Sequence, residues 1–75
     1  MQIRTNGFVV CIKNAGYSAS LEVRKLYPFI TDAGAELEGF LRVVDESGED
    51  YLYPAMMFRK LSIPADLRRV LRVAS

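Results

Sequence analysis

Short apolar runs alternate with polar, glycine-containing segments along this 75-residue chain. Two of the runs, residues 39–44 and 51–54, are rich in β-branched and aromatic side chains and flank the acidic segment 45–50. A pair of such runs around a polar turn that contains a glycine, here Gly48, is typical of a β-hairpin. The pattern therefore predicts a hairpin over residues 39–54, around which the other elements pack.

The turn of this hairpin determines which side chains share a face. A type I turn followed by Gly48 in the left-handed conformation predicts three cross-strand pairs, Val43 with Tyr51, Arg42 with Leu52 and Leu41 with Tyr53. One face then carries Leu41, Val43, Tyr51 and Tyr53. The other face carries Phe40, Val44 and Leu52 beside Arg42. Because both faces are apolar, we expect a further element to cover the second one.

The N-terminal half predicts two more strands and two loops. Residues 8–12 form an apolar run without alternation, which indicates a strand buried on both faces. Residues 23–31 predict a second strand, and Pro28 places it at an edge or bends it locally. The segments 14–22 and 32–39 are rich in turn-forming residues and are expected to be loops.

The chain after the hairpin predicts a turn, a strand and a helix. Residues 54–58 are expected to form one 3₁₀ turn, and residues 59–63 a short final strand. Pro64 favours the first turn of a helix, where its missing N–H would be unpaired in any case. At helical spacing, residues 64–74 place four apolar side chains on one face: Leu67, Val70, Leu71 and Ala74. A helix this short is marginal alone, so we expect it to dock on the second face of the hairpin.

Composition places the chain among small folded domains. Apolar residues make up 51% of the chain and charged residues 25%, which is ordinary for a folded domain and unlike a disordered one. We expect a single domain over residues 1–75. No apolar run approaches the roughly 20 residues that a membrane-spanning helix needs, so the sequence predicts a cytoplasmic protein without membrane contact.

Charge is distributed unevenly, although the net charge is only +1. Residues 1–31 carry a net charge of +3, residues 32–50 a net charge of −6 and residues 51–75 a net charge of +4. The sequence therefore predicts a polarised surface with an acidic middle and two basic ends.

The order of these elements resembles that of an SH3-like small barrel. Residues 7–63 would supply its five short strands, its long first loop and the 3₁₀ turn before its last strand. The chain also resembles small bacterial proteins of this barrel type in three stretches: Lys25-Leu26-Tyr27, Arg42-Val43 and Gly48-Glu49-Asp50-Tyr51-Leu52-Tyr53-Pro54. The resemblance implies a mainly β fold, a five-stranded SH3-like small barrel with a short C-terminal α-helix over residues 64–74.

Aromatic residues supply the leading candidate site. Rings between the long first loop and the 3₁₀ turn of such a barrel would form a groove for another protein. We assign to this groove Tyr17, Tyr53, Pro54 and Met57. Peptide-binding SH3 domains use an acidic first loop and a tryptophan in the third strand, and this chain has no tryptophan, so recognition of proline-rich peptides does not follow. Residues 56–58 could supply an adaptable hydrophobic contact, but at the closing turn of a barrel we expect them to belong to the core.

Basic residues near the C-terminus supply the alternative site. Nucleic-acid phosphates, an acidic protein surface or the acidic segment of a second copy would each suit them. The residues concerned are Arg59, Lys60, Arg68, Arg69 and Arg72. The acidic middle of the chain would repel phosphates. Our leading hypothesis is therefore a binding module for another protein, with nucleic-acid binding as the alternative and self-association left open.

Catalytic chemistry has little support in the sequence. There is no histidine, the commonest general base and metal ligand. Cys11 is the only cysteine, so we expect no disulfide and a small buried thiol. The carboxylates of residues 45–50 are expected to be solvated at an exposed hairpin tip, which lacks the burial that separates two pKa values. The sequence thus predicts a protein that is not an enzyme and that holds no metal or cofactor.

Overall fold

A computed structural model describes residues 7–62 of the chain. Five strands and two short helical turns follow one another there: β1 (Gly7–Cys11), β2 (Leu26–Ile30), α1 (Ala33–Leu37), β3 (Phe40–Val44), β4 (Asp50–Pro54), the 3₁₀ turn η1 (Ala55–Met57) and β5 (Phe58–Leu61). The prediction of a mainly β fold with one 3₁₀ turn before the last strand is confirmed. The predicted helix over residues 64–74 lies outside the described residues.

The strands form one antiparallel sheet in the order β4-β3-β2-β1-β5. β2 is the middle strand, so Pro28 does not lie at an edge, which was one of its two predicted placements. Phe8 of β1 lies opposite Pro28, whereas the pairing of β2 with β3 joins Phe29 to Val43 and begins one residue later. Pro28 therefore precedes the first residue of β2 that pairs with β3, so its missing N–H removes no hydrogen bond from that pairing.

β2 begins at Leu26 rather than at residue 23, because a bulge interrupts the pairing with β1. Arg24 donates its backbone N–H to the Cys11 carbonyl at 2.7 Å, and Cys11 donates its N–H to the Lys25 carbonyl at 3.0 Å. Arg24 and Lys25 thus both lie opposite Cys11, and two residues opposite one make a β-bulge. Arg24 adopts a φ of 71°, a left-handed conformation that residues other than glycine adopt at a cost.

The predicted hairpin and its register are confirmed. In the turn, Gly48 donates its N–H to the Asp45 carbonyl at 2.9 Å and has a φ of 82°. A left-handed residue after a type I turn continues the strands with the correct twist. The resulting pairs include Leu41 with Tyr53, Arg42 with Leu52 and Val43 with Tyr51.

The sheet is strongly curled, because η1 joins its two edge strands. In a flat sheet β4 and β5 would lie four strand spacings apart, or roughly 19 Å. The chain covers the distance from Pro54 to Phe58 in four residue steps, which span at most roughly 14 Å. The edges therefore approach each other, and the centroid of the Tyr53 ring lies 6.0 Å from that of the Phe58 ring. Within residues 7–62, no backbone pairing joins β4 to β5.

The inner face of the curled sheet holds the hydrophobic core. Alternate positions of the strands point inward, which is the period of two that strands impose on their side chains. Leu21, from the loop before β2, is buried with them. The core cluster consists of Val9, Cys11, Leu21, Tyr27, Phe29, Leu41, Val43, Tyr53, Met57 and Phe58.

The segment 32–39 contains one turn of helix, α1, where the sequence predicts a loop. Asp32 is the N-cap, and its Oδ1 accepts a hydrogen bond from the Ala35 N–H at 3.1 Å. Gly39 follows the helix with a φ of 85°. An N-cap aspartate and a left-handed glycine are the usual start and stop of a helix. The prediction of a loop is wrong here. The N-cap aspartate and the terminating glycine are only seven residues apart, which leaves room for a single helical turn that is easily taken for a loop.

The outer face of the sheet carries a second apolar row. Phe8 lies opposite both Leu61 and Pro28, and the register of β2 with β3 extends the row to Val44. Phe8 and Val44 are buried, yet neither belongs to the core cluster. Val44 is thus covered on the side of β3 that faces away from the core, so β3 is apolar on both faces.

We expect Gly48→Ala to lower the free energy of unfolding by about 1 kcal/mol. No atom lies within 4 Å of a Cβ added at Gly48, so the cost comes from the left-handed backbone alone. Gly34→Ala is the matched control, because Gly34 lies in α1 and an added Cβ there meets Asp32 Oδ1 at an ordinary 3.7 Å. This second change should raise stability by up to about 1 kcal/mol. Urea unfolding followed by circular dichroism measures both, and effects of the same sign would contradict the assignment.

Candidate functional site

Tyr17 lies in the loop between β1 and β2 and is 38% exposed. Two backbone hydrogen bonds hold the loop at this point. Tyr17 donates its N–H to the Asn14 carbonyl at 2.8 Å, and its carbonyl accepts the Leu21 N–H at 2.9 Å. The ring stands edge-on to the Tyr53 ring, with centroids 5.0 Å apart. Tyr17 is therefore a half-exposed ring on a hydrogen-bonded backbone.

The other residues of the predicted groove are less accessible. Tyr53 and Met57 are buried in the core cluster, and Pro54 is partly buried. The structure brings Tyr17 and Tyr53 into contact, but only Tyr17 of the four is exposed. The Tyr53 ring thus packs against the Tyr17 ring from the core, and Met57 belongs to the core as well.

Met56 is exposed, so the interpretation of residues 56–58 as core is wrong for this residue. Met57 and Phe58 are buried as expected, whereas Met56 is 70% exposed. With three residues in each turn of a 3₁₀ helix, successive side chains point roughly 120° apart, so one of them must leave the core. Which one leaves depends on how the ends of η1 are bonded, and the sequence pattern does not contain that information.

Both ends of η1 are hydrogen-bonded to other segments. Ala55 donates its N–H to the Gly39 carbonyl at 2.8 Å, and the Met57 carbonyl accepts the N–H of Ile12 at 2.8 Å. Met56 is therefore held between the end of α1 and the start of the first loop.

Exposed apolar residues gather on the segments around η1. Leu37, at the end of α1, is 88% exposed, and Phe40, at the start of β3, is also exposed. Phe40 is the cross-strand partner of Pro54, the residue before η1. We call Leu37, Phe40, Pro54 and Met56 the η1 surface. The sequence gives no signal for Leu37, because an isolated leucine in a polar segment is not distinguishable from an ordinary loop residue.

Asp45 is buried, so the prediction of solvated carboxylates in the hairpin turn is wrong for this residue. Asp45 is 6% exposed, and its Oδ2 accepts a hydrogen bond from the Tyr53 hydroxyl at 2.5 Å. Its Oδ1 accepts the Ser47 hydroxyl at 2.6 Å and the Ser47 N–H at 2.8 Å. Burial acts to raise the pKa of Asp45, but hydrogen bonds from Ser47 and Tyr53 outweigh it and hold the pKa below its ordinary value.

Glu46 ties the same turn to the first loop and β2. Tyr27 donates its hydroxyl to Glu46 Oε2 at 2.5 Å, and Lys25 Nζ lies 2.6 Å from the same oxygen. Glu46 donates its N–H to the Ser20 carbonyl at 3.1 Å, and the Tyr27 hydroxyl accepts the Glu22 N–H at 2.7 Å. Hydrogen bonds from Lys25 and Tyr27 lower the pKa of Glu46. The turn is therefore anchored to the first loop and does not project freely into water.

The two tyrosines of this network serve as proton donors. Burial is the main cause that raises the pKa of both tyrosines. The hydrogen bond to a carboxylate raises it further, from Tyr27 to Glu46 and from Tyr53 to Asp45. Both phenols therefore stay protonated at neutral pH. A neutral phenol that donates to an ionised carboxylate fixes a turn in place and leaves no free base at this position.

Two further ion-paired groups connect α1 with the sheet. The Arg42 guanidinium binds Asp32 Oδ2 through Nη2 and Asp50 Oδ2 through Nη1, each at 2.9 Å. Lys60 Nζ lies 2.9 Å from Glu36 Oε1. These pairs are partly solvated, so they position α1 more than they stabilise the fold.

These contacts affect only some of the basic residues of the alternative nucleic-acid site. Lys60 is occupied by Glu36, whereas Arg59 is exposed on β5. The remaining residues of that hypothesis lie outside the described part of the chain: Arg68, Arg69 and Arg72.

The interpretation of Cys11 as a buried thiol is confirmed, since it is fully buried in the core. Burial raises the pKa of this thiol. Between residues 7 and 62, no three carboxylate, histidine or cysteine side chains are arranged to hold a metal ion. No helix in the same range has the length and apolar character needed to cross a bilayer.

Comparison of the chain with protein families, with curated proteins and with solved structures finds no match.

We expect Asp45→Asn to lower the free energy of unfolding by about 2 kcal/mol at neutral pH, because the hydrogen bonds then reach a neutral amide. The pKa of Asp45 is lowered in the folded state, so its contribution is complete above an ordinary pKa of about 4 and is lost as the pH falls through the folded-state pKa. The difference between wild type and variant should therefore shrink progressively as the pH falls below about 4.

Urea unfolding at neutral and acidic pH measures this difference. Glu49→Gln is the control, because Glu49 is exposed in the same turn. It should change stability by less than about 0.5 kcal/mol at either pH. An effect of Asp45→Asn that does not decrease as the pH falls below about 4 would show that the ionised carboxylate is not what stabilises the turn.

Proposed function

We propose that this protein is a non-enzymatic binding module for another protein, built as an SH3-like small barrel with a C-terminal helix. The strand order β4-β3-β2-β1-β5 and the 3₁₀ turn between β4 and β5 support the barrel. The curl of the sheet supports it as well, because it brings the two edge strands towards each other, as closure requires.

The outer apolar row supports the C-terminal helix. The row crosses β5, β1, β2 and β3, which is three strand spacings or roughly 14 Å. A helix over residues 64–74 would be roughly 16 Å long. Leu61 belongs to the row and ends β5, so the residues that follow begin beside it. The apolar face of the proposed helix thus has the length and the starting point needed to cover the row.

We expect Leu71→Ser to lower the free energy of unfolding by about 2 kcal/mol, because it removes a side chain from the proposed contact with the outer row. Arg69→Ser is the control, since Arg69 would lie on the opposite face of the helix, and it should cost less than about 0.5 kcal/mol. Urea unfolding compares the two variants. Equal and small effects would remove the proposed docking of residues 64–74.

The η1 surface is the proposed contact with the partner. The observation that carries the proposal is that Met56 is 70% and Leu37 88% exposed, while the backbone of η1 is hydrogen-bonded at both ends. The segments that carry these side chains are joined by the Ala55–Gly39 hydrogen bond and by the pairing of Phe40 with Pro54. Exposed apolar side chains on neighbouring ordered segments are typical of a protein contact. Methionine adds a flexible, polarisable side chain that adapts to a partner. Tyr17, on the neighbouring loop, offers an aromatic ring supported by Tyr53.

A library of random peptides displayed on phage tests this function. We expect the domain to select peptides, and their titration into isotope-labelled protein should shift the amide resonances of residues 37–40, 54–57 and Tyr17. Met56→Ser and Leu37→Ser should each weaken binding by about tenfold, the loss expected at an important interface residue.

Val23→Ser is the matched control for these variants, because Val23 is an exposed apolar residue of the first loop that does not belong to the η1 surface. It should alter the affinity by no more than about twofold. Failure to select any peptide, or shifts confined to the basic C-terminal residues, would overturn the proposal.

A further inference from the structure

The six cations of residues 7–62 fall into two classes. Three of them bind carboxylates: Lys25, Arg42 and Lys60. The other three are exposed and have no carboxylate partner within the described residues: Lys13, Arg24 and Arg59. We call these last three the unpaired cations.

The unpaired cations all border β1. Arg59 on β5 is the cross-strand partner of Val10, and Arg24 is hydrogen-bonded to Cys11 at the end of β1. Lys13 follows β1 by two residues. The acidic hairpin lies on β3 and β4, at the other side of the strand order. The segment 12–25 contains a single carboxylate, that of Glu22, so the charge beside β1 stays positive.

The conformation of Arg24 is a second observation about the same surface. Its φ of 71° would suit glycine, and a side chain there costs roughly 1 kcal/mol or more. The bulge at Arg24 and Lys25 changes the direction of the chain, which is how bulges re-aim a side chain. Lys25 turns to Glu46 on the hairpin, whereas Arg24 remains in solvent beside β1. A charged residue thus stands where the backbone alone favours glycine.

We propose that Lys13, Arg24 and Arg59 bind the phosphate backbone of a nucleic acid. Two of the three are arginines, whose planar guanidinium forms paired hydrogen bonds with a phosphate. The apolar neighbours Ile12 and Val23 are 38% and 37% exposed, far less than Met56 at 70% and Leu37 at 88% on the η1 surface, so the cations stand beside a smaller apolar area. None of the three cations belongs to the η1 surface, although Lys13 donates its backbone N–H to the Met57 carbonyl of η1 at 3.3 Å. The inference rests on different side chains and does not depend on the proposed protein partner.

The site differs from the one that the sequence indicates. Lys60 is not part of the proposed phosphate site, because it binds Glu36. Lys13 and Arg24, from the first loop, are part of it. Four of the seven carboxylates in residues 32–50 are ion-paired within the domain, which compensates part of the acidic charge that argues against nucleic-acid binding: Asp32 and Asp50 with Arg42, Glu36 with Lys60, and Glu46 with Lys25.

Fluorescence anisotropy with a labelled single-stranded oligonucleotide, and with the corresponding duplex, tests the proposal on the full chain. Three phosphate contacts predict that log K falls with log salt concentration with a slope of about −2 for the single strand and about −3 for the duplex. Lys13→Gln, Arg24→Gln and Arg59→Gln should each lower the affinity at about 50 mM salt by several fold and reduce the slope by about one contact.

Lys60→Gln is the matched control, because it removes the same charge from a lysine that is already bound to a carboxylate. It should change the affinity by no more than about twofold. Circular dichroism confirms that each variant is folded. A poly-glutamate peptide serves as the acidic-polypeptide probe.

Three results would overturn the proposal. The first is absence of binding to both oligonucleotides at about 50 mM salt, where even non-specific phosphate contacts are measurable. The second is a loss for Lys60→Gln as large as that for the three unpaired cations. The third is binding of poly-glutamate as tight as that of the oligonucleotides and equally sensitive to the variants, since the surface would then recognise an acidic protein.

Discussion

The short connection between Pro54 and Phe58 determines the shape of the domain. β4 and β5 are the two ends of the strand order, and four residue steps cannot join them across a flat sheet. The sheet must therefore curl, and the curl gives it an inner face that closes over one core and an outer face that carries a second apolar row. With a longer connection the same strand pairs could flatten, and Tyr53 would then lose its contact with Phe58.

Two consecutive carboxylates of the hairpin turn, Asp45 and Glu46, connect the turn with other parts of the curled sheet. Each carboxylate meets a tyrosine from a different strand, Tyr53 on β4 and Tyr27 on β2. Both carboxylates thereby gain hydrogen-bond donors, and the first loop is held against the hairpin. A buried carboxylate with its full set of donors is stable where an unpaired one would not be.

Local signals made much of the fold predictable. Turn chemistry at Gly48 predicted the hairpin register, and short apolar runs separated by polar segments predicted the five strands. The missed features depend on contacts between distant residues. Burial of Asp45 requires Tyr53, and exposure of Met56 requires the bonds that hold η1. For the candidate groove, the register already placed Tyr53 on the core face with Leu41, so its burial was predictable from the same pairing. The bulge that isolates Arg24 left no pattern in the sequence.

Chemical modification of Cys11 can report local opening of the folded chain. The thiol is enclosed between β2 and β5, and its Sγ donates a hydrogen bond to the Lys13 carbonyl at 3.2 Å. A thiol reagent can reach it only after β1 separates from a neighbouring strand. Because there is no second cysteine, every modification refers to this one position. The rate of modification therefore reports how often the fold opens around the end of β1, without any added label.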